Sequence, residues 1–293
     1  MYNNFSFAHK TELVKYKNKY IQTYSFGDGD NVVLSLPSFP HSGLTYLLFL
    51  RHKKHVNAKF ITFDLPGWIG YSENTFDDDK FSFTEIVNIV DSILNHYKVD
   101  RFNVIGYSFG GALALQVVQR FHNRVNRIVL VSTIVNANLI KNLMIVRKIK
   151  IAHYFKLAKA IRNVINKSAL DFFKYFRAEG IPENLLDEYR GMLGRLNNKI
   201  LLDSAYKLFT SDFTDELNEV MDKEFMIINS KEEGLMFKIQ ATYIRRLLKT
   251  EKSIYLHGTH DDFIFKPDSE VVNKVIEFLG SQDNKISSTE VIL

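Results

Sequence analysis

Apolar and polar residues change their period several times along this chain, and those changes divide it into elements. Lys19 to Tyr24 is a β-branched and aromatic run, Gly27 to Asn31 supplies turn residues, and Val32 to Leu36 is a second apolar run. Together they predict a hairpin at the opening of a sheet. A third strand is expected over Lys59 to Asp64, ending in Leu65-Pro66-Gly67. From about Phe83 to Tyr97 the period lengthens to that of a helix, which places Ile86, Val90, Ile93 and Leu94 on one face. Phe102 to Ile105 is a short strand, the segment GYSFGGALALQVVQRF is a helix beginning at Ser108, and Val125 to Ser132 is a strand again. Strand, helix and strand at this spacing imply a parallel crossover.

The alternation is lost at about Val135. From there to Met221 the chain reads as several helices, broken near Gly180-Ile181-Pro182 and from Gly191 to Gly194. It resumes with a strand at Phe225 to Asn229, a helix over about Ile239 to Leu248, a strand at Ser253 to Leu256 and a last helix at about Ser269 to Leu279. The expected architecture is α/β, with a mostly parallel central sheet flanked by helices. Its core is formed by residues 1–134 and 222–280, a helical cap is inserted as residues 135–221, and residues 281–293 form a loose polar tail.

Composition changes this picture little. The chain has 293 residues, 46% hydrophobic and 24% charged, with five prolines, which is ordinary globular usage. Cysteine is absent, so disulfides, thiolate metal sites and a thiol nucleophile are all excluded. The first residues, MYNNFSFAHK, do not resemble a signal peptide, and no apolar stretch approaches the roughly 18 residues of a membrane span. A soluble, cytoplasmic protein is the expectation.

Charge adds one local feature. A net charge of +5 is too small to imply a nucleic-acid partner. From Arg101 to Leu170, however, there is no acidic residue, while Lys141, Arg147, Lys148, Lys150, Lys156, Lys159, Arg162 and Lys167 crowd the second half of that window. Projected as one helix, Ile145 to Ile165 is weakly amphipathic, with Arg147 and Lys150 intruding on the apolar side. A solvated cap face is one reading, and weak contact with an anionic membrane surface is the other.

The chemistry centres on Gly106-Tyr107-Ser108-Phe109-Gly110. A G-x-S-x-G pattern arises by chance in roughly one chain of this length in ten, so its context decides its meaning. Small residues at a strand-to-helix junction permit a sharp turn that exposes the serine hydroxyl at a helix N-terminus. That hydroxyl needs a base to remove its proton, and the base needs an acid to orient it. The N-H of Phe109, the residue after the serine, is one donor for a developing oxyanion.

Four stretches together resemble the α/β-hydrolase family over about residues 12 to 280: LPSFPHSG, DLPGWIGYS, GYSFGG and GTHDDFIFKPDSEVVNKVIEFL. The family orders its triad serine, acid, histidine, which makes Ser108 the nucleophile and implies a base late in the chain. No histidine follows His260, so His260 is the base the resemblance implies, and Asp261 cannot be the acid; His257 is a rival. The acid loop then falls at Ser230-Lys231-Glu232-Glu233-Gly234, with Glu233 the preferred candidate and Glu232 the alternative. Similarity of PSFP to the family's His-Gly-x-Pro loop implies the Phe39 N-H as the second oxyanion donor, although Pro37-Ser38 replaces the usual pair. The aspartate-and-glycine loop is one residue longer than usual, and Trp68, Phe39, Phe109 and Tyr107 are either acyl-pocket walls or core aromatics.

The resemblance implies a serine hydrolase that cleaves small carboxylic esters through an acyl-enzyme, with no cofactor. Alternatives are cleavage of another bond on the same triad, such as a C-C or N-terminal peptide bond, or a non-catalytic ligand-binding member of the fold. A nucleophilic aspartate is excluded by Ser108 itself. For metals the sequence offers only His52-x-x-His55 inside RHKKH, which reads as a solvated basic face.

Overall fold

The computed structural model describes residues 9–50, 57–159, 162, 165, 183–249, 253–280 and 291–292. Strands β1 (His9–Tyr16), β2 (Lys19–Phe26), β3 (Val32–Leu36), β4 (Lys59–Phe63), β5 (Phe102–Tyr107), β6 (Val125–Val131), β7 (Glu224–Ser230), β8 (Ser253–Leu256) and β9 (Val291–Ile292) form one sheet. Its order is β1-β2-β4-β3-β5-β6-β7-β8-β9, parallel from β4 to β9 and antiparallel at β1 and β2.

The central strands are buried on both faces, which is why their sequences run apolar rather than alternating: all six residues of β5 are buried. The expected hairpin between Lys19–Tyr24 and Val32–Leu36 does not form. β4 lies between β2 and β3, pairing antiparallel with the first and parallel with the second. An apolar β3 gains more from the sheet centre, where both its faces are covered, than from pairing with its neighbour in sequence. The hairpin that does form joins β1 to β2 across Lys17 and Asn18, with Lys17 left-handed at φ 51°.

Helices α1 (Thr45–Leu50), α2 (Phe83–His96) and α3 (Phe109–Arg120) follow the early strands. In α2 the predicted stripe of Ile86, Val90, Ile93 and Leu94 is wholly buried, and the Ser82 hydroxyl caps the helix by accepting from the Glu85 N-H. Between β6 and β7 lie α4 (Met144–Tyr154), α5 (Glu183–Leu193), α6 (Asn198–Leu208) and α7 (Thr214–Glu219). Within the break expected from Gly191 to Gly194, α5 runs on through Gly191 and ends at Leu193, and the chain turns at Gly194, whose N-H reaches the Gly191 carbonyl. The break expected at residues 180–182 lies outside the described residues. A single helix over Ile145–Ile165 does not form either: α4 stops at Tyr154, and Arg147 and Lys150 are exposed.

Helix α8 (Leu235–Leu248) begins four residues earlier than periodicity suggested, on Gly234, and α9 (Asp262–Phe265) and α10 (Ser269–Gly280) complete the chain's helical layers. Within the tail, residues 291–292 add a two-residue parallel strand to β8.

Candidate active site

The site is assembled where the C-terminal ends of the parallel strands meet the loops that follow them. At the end of β5 the backbone reverses into α3 through Ser108, which is held at φ 55°, ψ −113°. A non-glycine residue in this region is strained, and such strain persists only where the surroundings impose it. They do so by close packing. A Cβ on Gly106 would strike the Gly110 carbonyl, and one on Gly110 would strike the Leu36 carbonyl at the end of β3. The Ser108 N-H donates to the Val131 carbonyl of β6 at 2.8 Å, fixing the turn between two strands.

The contact of Gly110 with Leu36 draws the loop at Pro37 to His41 against the start of α3. Among the described residues, neither the Phe39 N-H nor the Phe109 N-H has a hydrogen-bond acceptor. Their rings lie 6.2 Å apart, and both pack on Trp68, Phe39 at 5.1 Å and Phe109 at 4.7 Å. Trp68 and Phe109 are fully buried, whereas Phe39 is only partly so. The Trp68 indole N-H is also buried without a partner.

The loop carrying Trp68 is anchored by Asp64, whose buried carboxylate accepts from the Ser42 hydroxyl (2.5 Å), the Tyr24 hydroxyl (2.7 Å), and the Tyr71 and Gly43 N-H groups at 2.8 and 3.0 Å. Burial nevertheless pushes its pKa up to about 6, the four donors acting in the opposite direction. His41, also buried, lies 2.9 Å from the Tyr189 hydroxyl through Nδ1 and packs edge-on to Phe265. Burial lowers its pKa to about 4, so it is neutral near neutral pH.

His260 sits in the loop after β8. Its ring stacks on Phe237 of α8 at 3.9 Å and lies 5.0 Å from the ring of Tyr107, the residue that precedes Ser108. The Tyr107 hydroxyl bonds the His260 carbonyl at 3.0 Å and Asp261 Oδ1 at 2.8 Å. Tyr107 thus straps the histidine loop to the serine turn; it is fully buried, and burial followed by the Asp261 charge holds its own pKa well above the usual phenol range. The Asp262 carboxylate caps the turn, accepting from the Thr259 N-H at 2.5 Å.

The two candidate acids separate cleanly. Glu233 is buried, with Oε2 3.8 Å from His260 Nδ1, while Glu232 is exposed, pairs with His257 at 3.6 Å and accepts from the Gly258 N-H. The Glu233 carboxylate is held by residues that the sequence did not bring forward: Ser132 Oγ donates to Oε2 at 2.6 Å and Asn229 Nδ2 to Oε1 at 2.8 Å. Ser132, at the end of β6, is another left-handed residue, at φ 44°. The separation to His260 is an ion-pair distance rather than a hydrogen bond, and His260 Nδ1 has no hydrogen-bond partner. Among the described residues no hydrogen bond joins the Ser108 hydroxyl to His260.

The family model for the alpha/beta hydrolase fold matches residues 31–267, a span that runs from the start of β3 to the loop after His260. The chain belongs to the α/β-hydrolase fold family. Among solved structures, this α/β-hydrolase is similar to an esterase from Exiguobacterium antarcticum, with TM-score 0.71 and 14% identity over 93% of this chain and 100% of that one. It is similar also to a bromoperoxidase from Bacillus anthracis (TM-score 0.68, 16% identity, 93% and 100% covered). An enol-lactonase from Burkholderia xenovorans aligns comparably (0.68, 14%, 92% and 100%). At these identities the likeness is one of fold. No curated protein matches the chain.

Among the described residues no group of three or more histidine, aspartate or glutamate side chains is arranged to hold a metal, and no helix is long and apolar enough to cross a membrane. His52 and His55 lie outside the described residues.

Proposed function

We propose that this α/β-hydrolase cleaves carboxylic esters through an acyl-enzyme on Ser108. The observation that carries the reading is the strained Ser108 turn at the N-terminus of α3, strapped through Tyr107 to the loop of a histidine whose Nδ1 faces a buried carboxylate. In this mechanism the Ser108 hydroxyl oxygen attacks the ester carbonyl carbon while His260 Nε2 takes the hydroxyl proton. The Phe39 and Phe109 N-H groups bind the resulting oxyanion, and Glu233 stabilises the imidazolium. Collapse expels the alcohol, which takes the proton from His260. Water, deprotonated by His260, then attacks the acyl carbon; the bond to Ser108 breaks, His260 returns the proton to the Ser108 oxygen, and the acid leaves.

The 3.8 Å separation of His260 from Glu233 is in keeping with catalytic hydrogen bonds that are loose in the free state and shorten in the substrate complex. The helices between β6 and β7 act as the cap over this site. Their support is the Asn197 N-H bonded to the Gly67 carbonyl at 2.9 Å and Ile200 packed on Gly67, which seat α6 on the Trp68 loop. Trp68 and Phe39 form the acyl side of the pocket.

A series of nitrophenyl esters of increasing acyl length, run beside an aliphatic lactone, tests the reading. Turnover peaking at short or medium acyl length supports it; turnover of the lactone alone assigns the triad to a different bond. The 3.8 Å gap between Glu233 and His260 favours one second reading, a ligand-binding protein without catalysis, and that reading predicts no turnover of any member of the series.

A further inference from the structure

The most unusual surface of the molecule is the outward face of α4. Met144, Ile151 and Phe155 follow one another at i, i+7 and i+11, one stripe of the helix, and Tyr154 stands beside them. Their exposures are 70%, 55%, 64% and 79%, large for side chains of this kind. The opposite face, Val146 and Ile149, is buried and packs toward α6, so the helix has two apolar faces, of which only this one is covered among the described residues. Arg147 and Lys148 flank the exposed stripe, and Lys141, Lys150 and Lys156 are exposed around it. Between Asn136 and Lys159 there is no acidic residue in the sequence.

We infer that this face docks on an anionic lipid surface. Apolar side chains in a stripe between cations are what an interfacial helix needs: the stripe enters the acyl boundary and the cations meet lipid phosphates. A second copy of the chain is a poor occupant, because it would oppose one cluster of exposed lysine and arginine side chains to another on a protein of net charge +5. The placement carries a consequence for the cap. α4 rests on α6, and α6 is bonded to the Trp68 loop through Asn197 and Gly67, so a surface that holds α4 holds the outer layer of the cap while the core stays in water.

The inference rests on α4 alone and is independent of the triad chemistry. It is tested with the full chain and two vesicle preparations, phosphatidylcholine alone and phosphatidylcholine enriched in phosphatidylglycerol, by co-sedimentation at low and high salt. Binding to the anionic vesicles, weakened by salt and lost in the double variant Ile151→Asp/Phe155→Asp, is expected. The variant Arg147→Gln/Lys148→Gln is expected to bind about 30-fold more weakly, at about five-fold per cation removed. All four side chains are exposed, so the variants keep the wild-type circular dichroism and the wild-type turnover of a soluble ester. Absence of anionic-vesicle binding, or binding indifferent to both variants, overturns the inference. So does a concentration-dependent dimer that the aspartate variant abolishes in the absence of any vesicle binding.

Discussion

Replacing Glu233 by glutamine removes one charge from a buried position and leaves its shape. Oε2 lies 3.8 Å from His260 Nδ1, and the Glu233 side chain is fully shielded from solvent. At that separation, with an effective dielectric constant of about 20, a carboxylate and an imidazolium attract by about 4 kcal/mol. In the proposed mechanism that attraction is absent while His260 is neutral and present once it has taken the Ser108 proton, so it acts on the transition state rather than on substrate binding. Each 1.36 kcal/mol is about tenfold in rate, which gives an expected fall in kcat of roughly 10³-fold with KM nearly unchanged. The fold should tolerate the change, because the Ser132 hydroxyl can accept from the new amide as readily as it donated to the carboxylate. Glu232→Gln is the control. Its carboxylate is exposed and faces His257, so a loss of no more than a few-fold is expected. Steady-state hydrolysis of a nitrophenyl ester by the two variants, with thermal melts alongside, decides the matter. The reasoning fails if Glu233→Gln keeps activity within tenfold of wild type, or if the large loss appears in Glu232→Gln instead.

Two further variants probe the surroundings. Ser132→Ala removes the 2.6 Å hydrogen bond to Glu233 Oε2; unfolding in urea should show a loss of about 2 kcal/mol, typical for a hydrogen bond to a charged group, and kcat should fall with KM little changed as the carboxylate loosens. For His41 the folded pKa of about 4 lies below the ordinary 6.5, so its contribution to stability is present above pH 6.5 and is lost as pH falls to 4. In denaturant melts across that window the stability difference between wild type and His41→Gln should therefore shift against the wild type on acidification, by on the order of 3 kcal/mol. Asp64, raised from 3.8 to about 6, contributes in the opposite sense over the same range, so the effect belongs to the difference between the two proteins rather than to either curve alone. A pH-independent difference would contradict the assignment of His41 as buried and neutral.

Much of the fold was legible because its signals are local. Buried strands such as β5 announce themselves by continuous apolar runs, and α2 by a stripe that repeats every three to four residues. β1 escapes the same reading in reverse: HKTELVKY is an edge strand whose exposed positions carry lysine, threonine and even Leu13, so it lacks the apolar run of a core strand. The hairpin expectation failed because sheet order is set by which strands need both faces covered, and sequence adjacency carries no record of that.

The candidate site divides along the same line. Ser108, His260 and the glutamate pair could be found by their order and by the turn that Gly106 and Gly110 permit. Choosing between Glu232 and Glu233 requires knowing which way the chain faces after β7, where one residue separates a buried carboxylate from an exposed one. Ser132, Asn229 and Phe237 gave no signal at all. A serine or an asparagine at a strand end looks like any turn residue, and the Ser132 contact with Glu233 spans 101 positions of the chain. Trp68 and Tyr107 were open between pocket and core; Tyr107 is a buried strut for the histidine loop, and Trp68 is buried against both loops that would supply oxyanion donors.

The central claim is that the Ser108 hydroxyl is a nucleophile deprotonated by His260, and a fluorophosphonate probe tests it most directly. The serine oxygen displaces fluoride from phosphorus, leaving a covalent adduct whose position is read by peptide mass. The account predicts one labelled peptide, modified at Ser108, with labelling abolished in Ser108→Ala and strongly slowed in His260→Ala. A folded protein that takes up no label, or that labels equally well with Ser108 replaced, would contradict it.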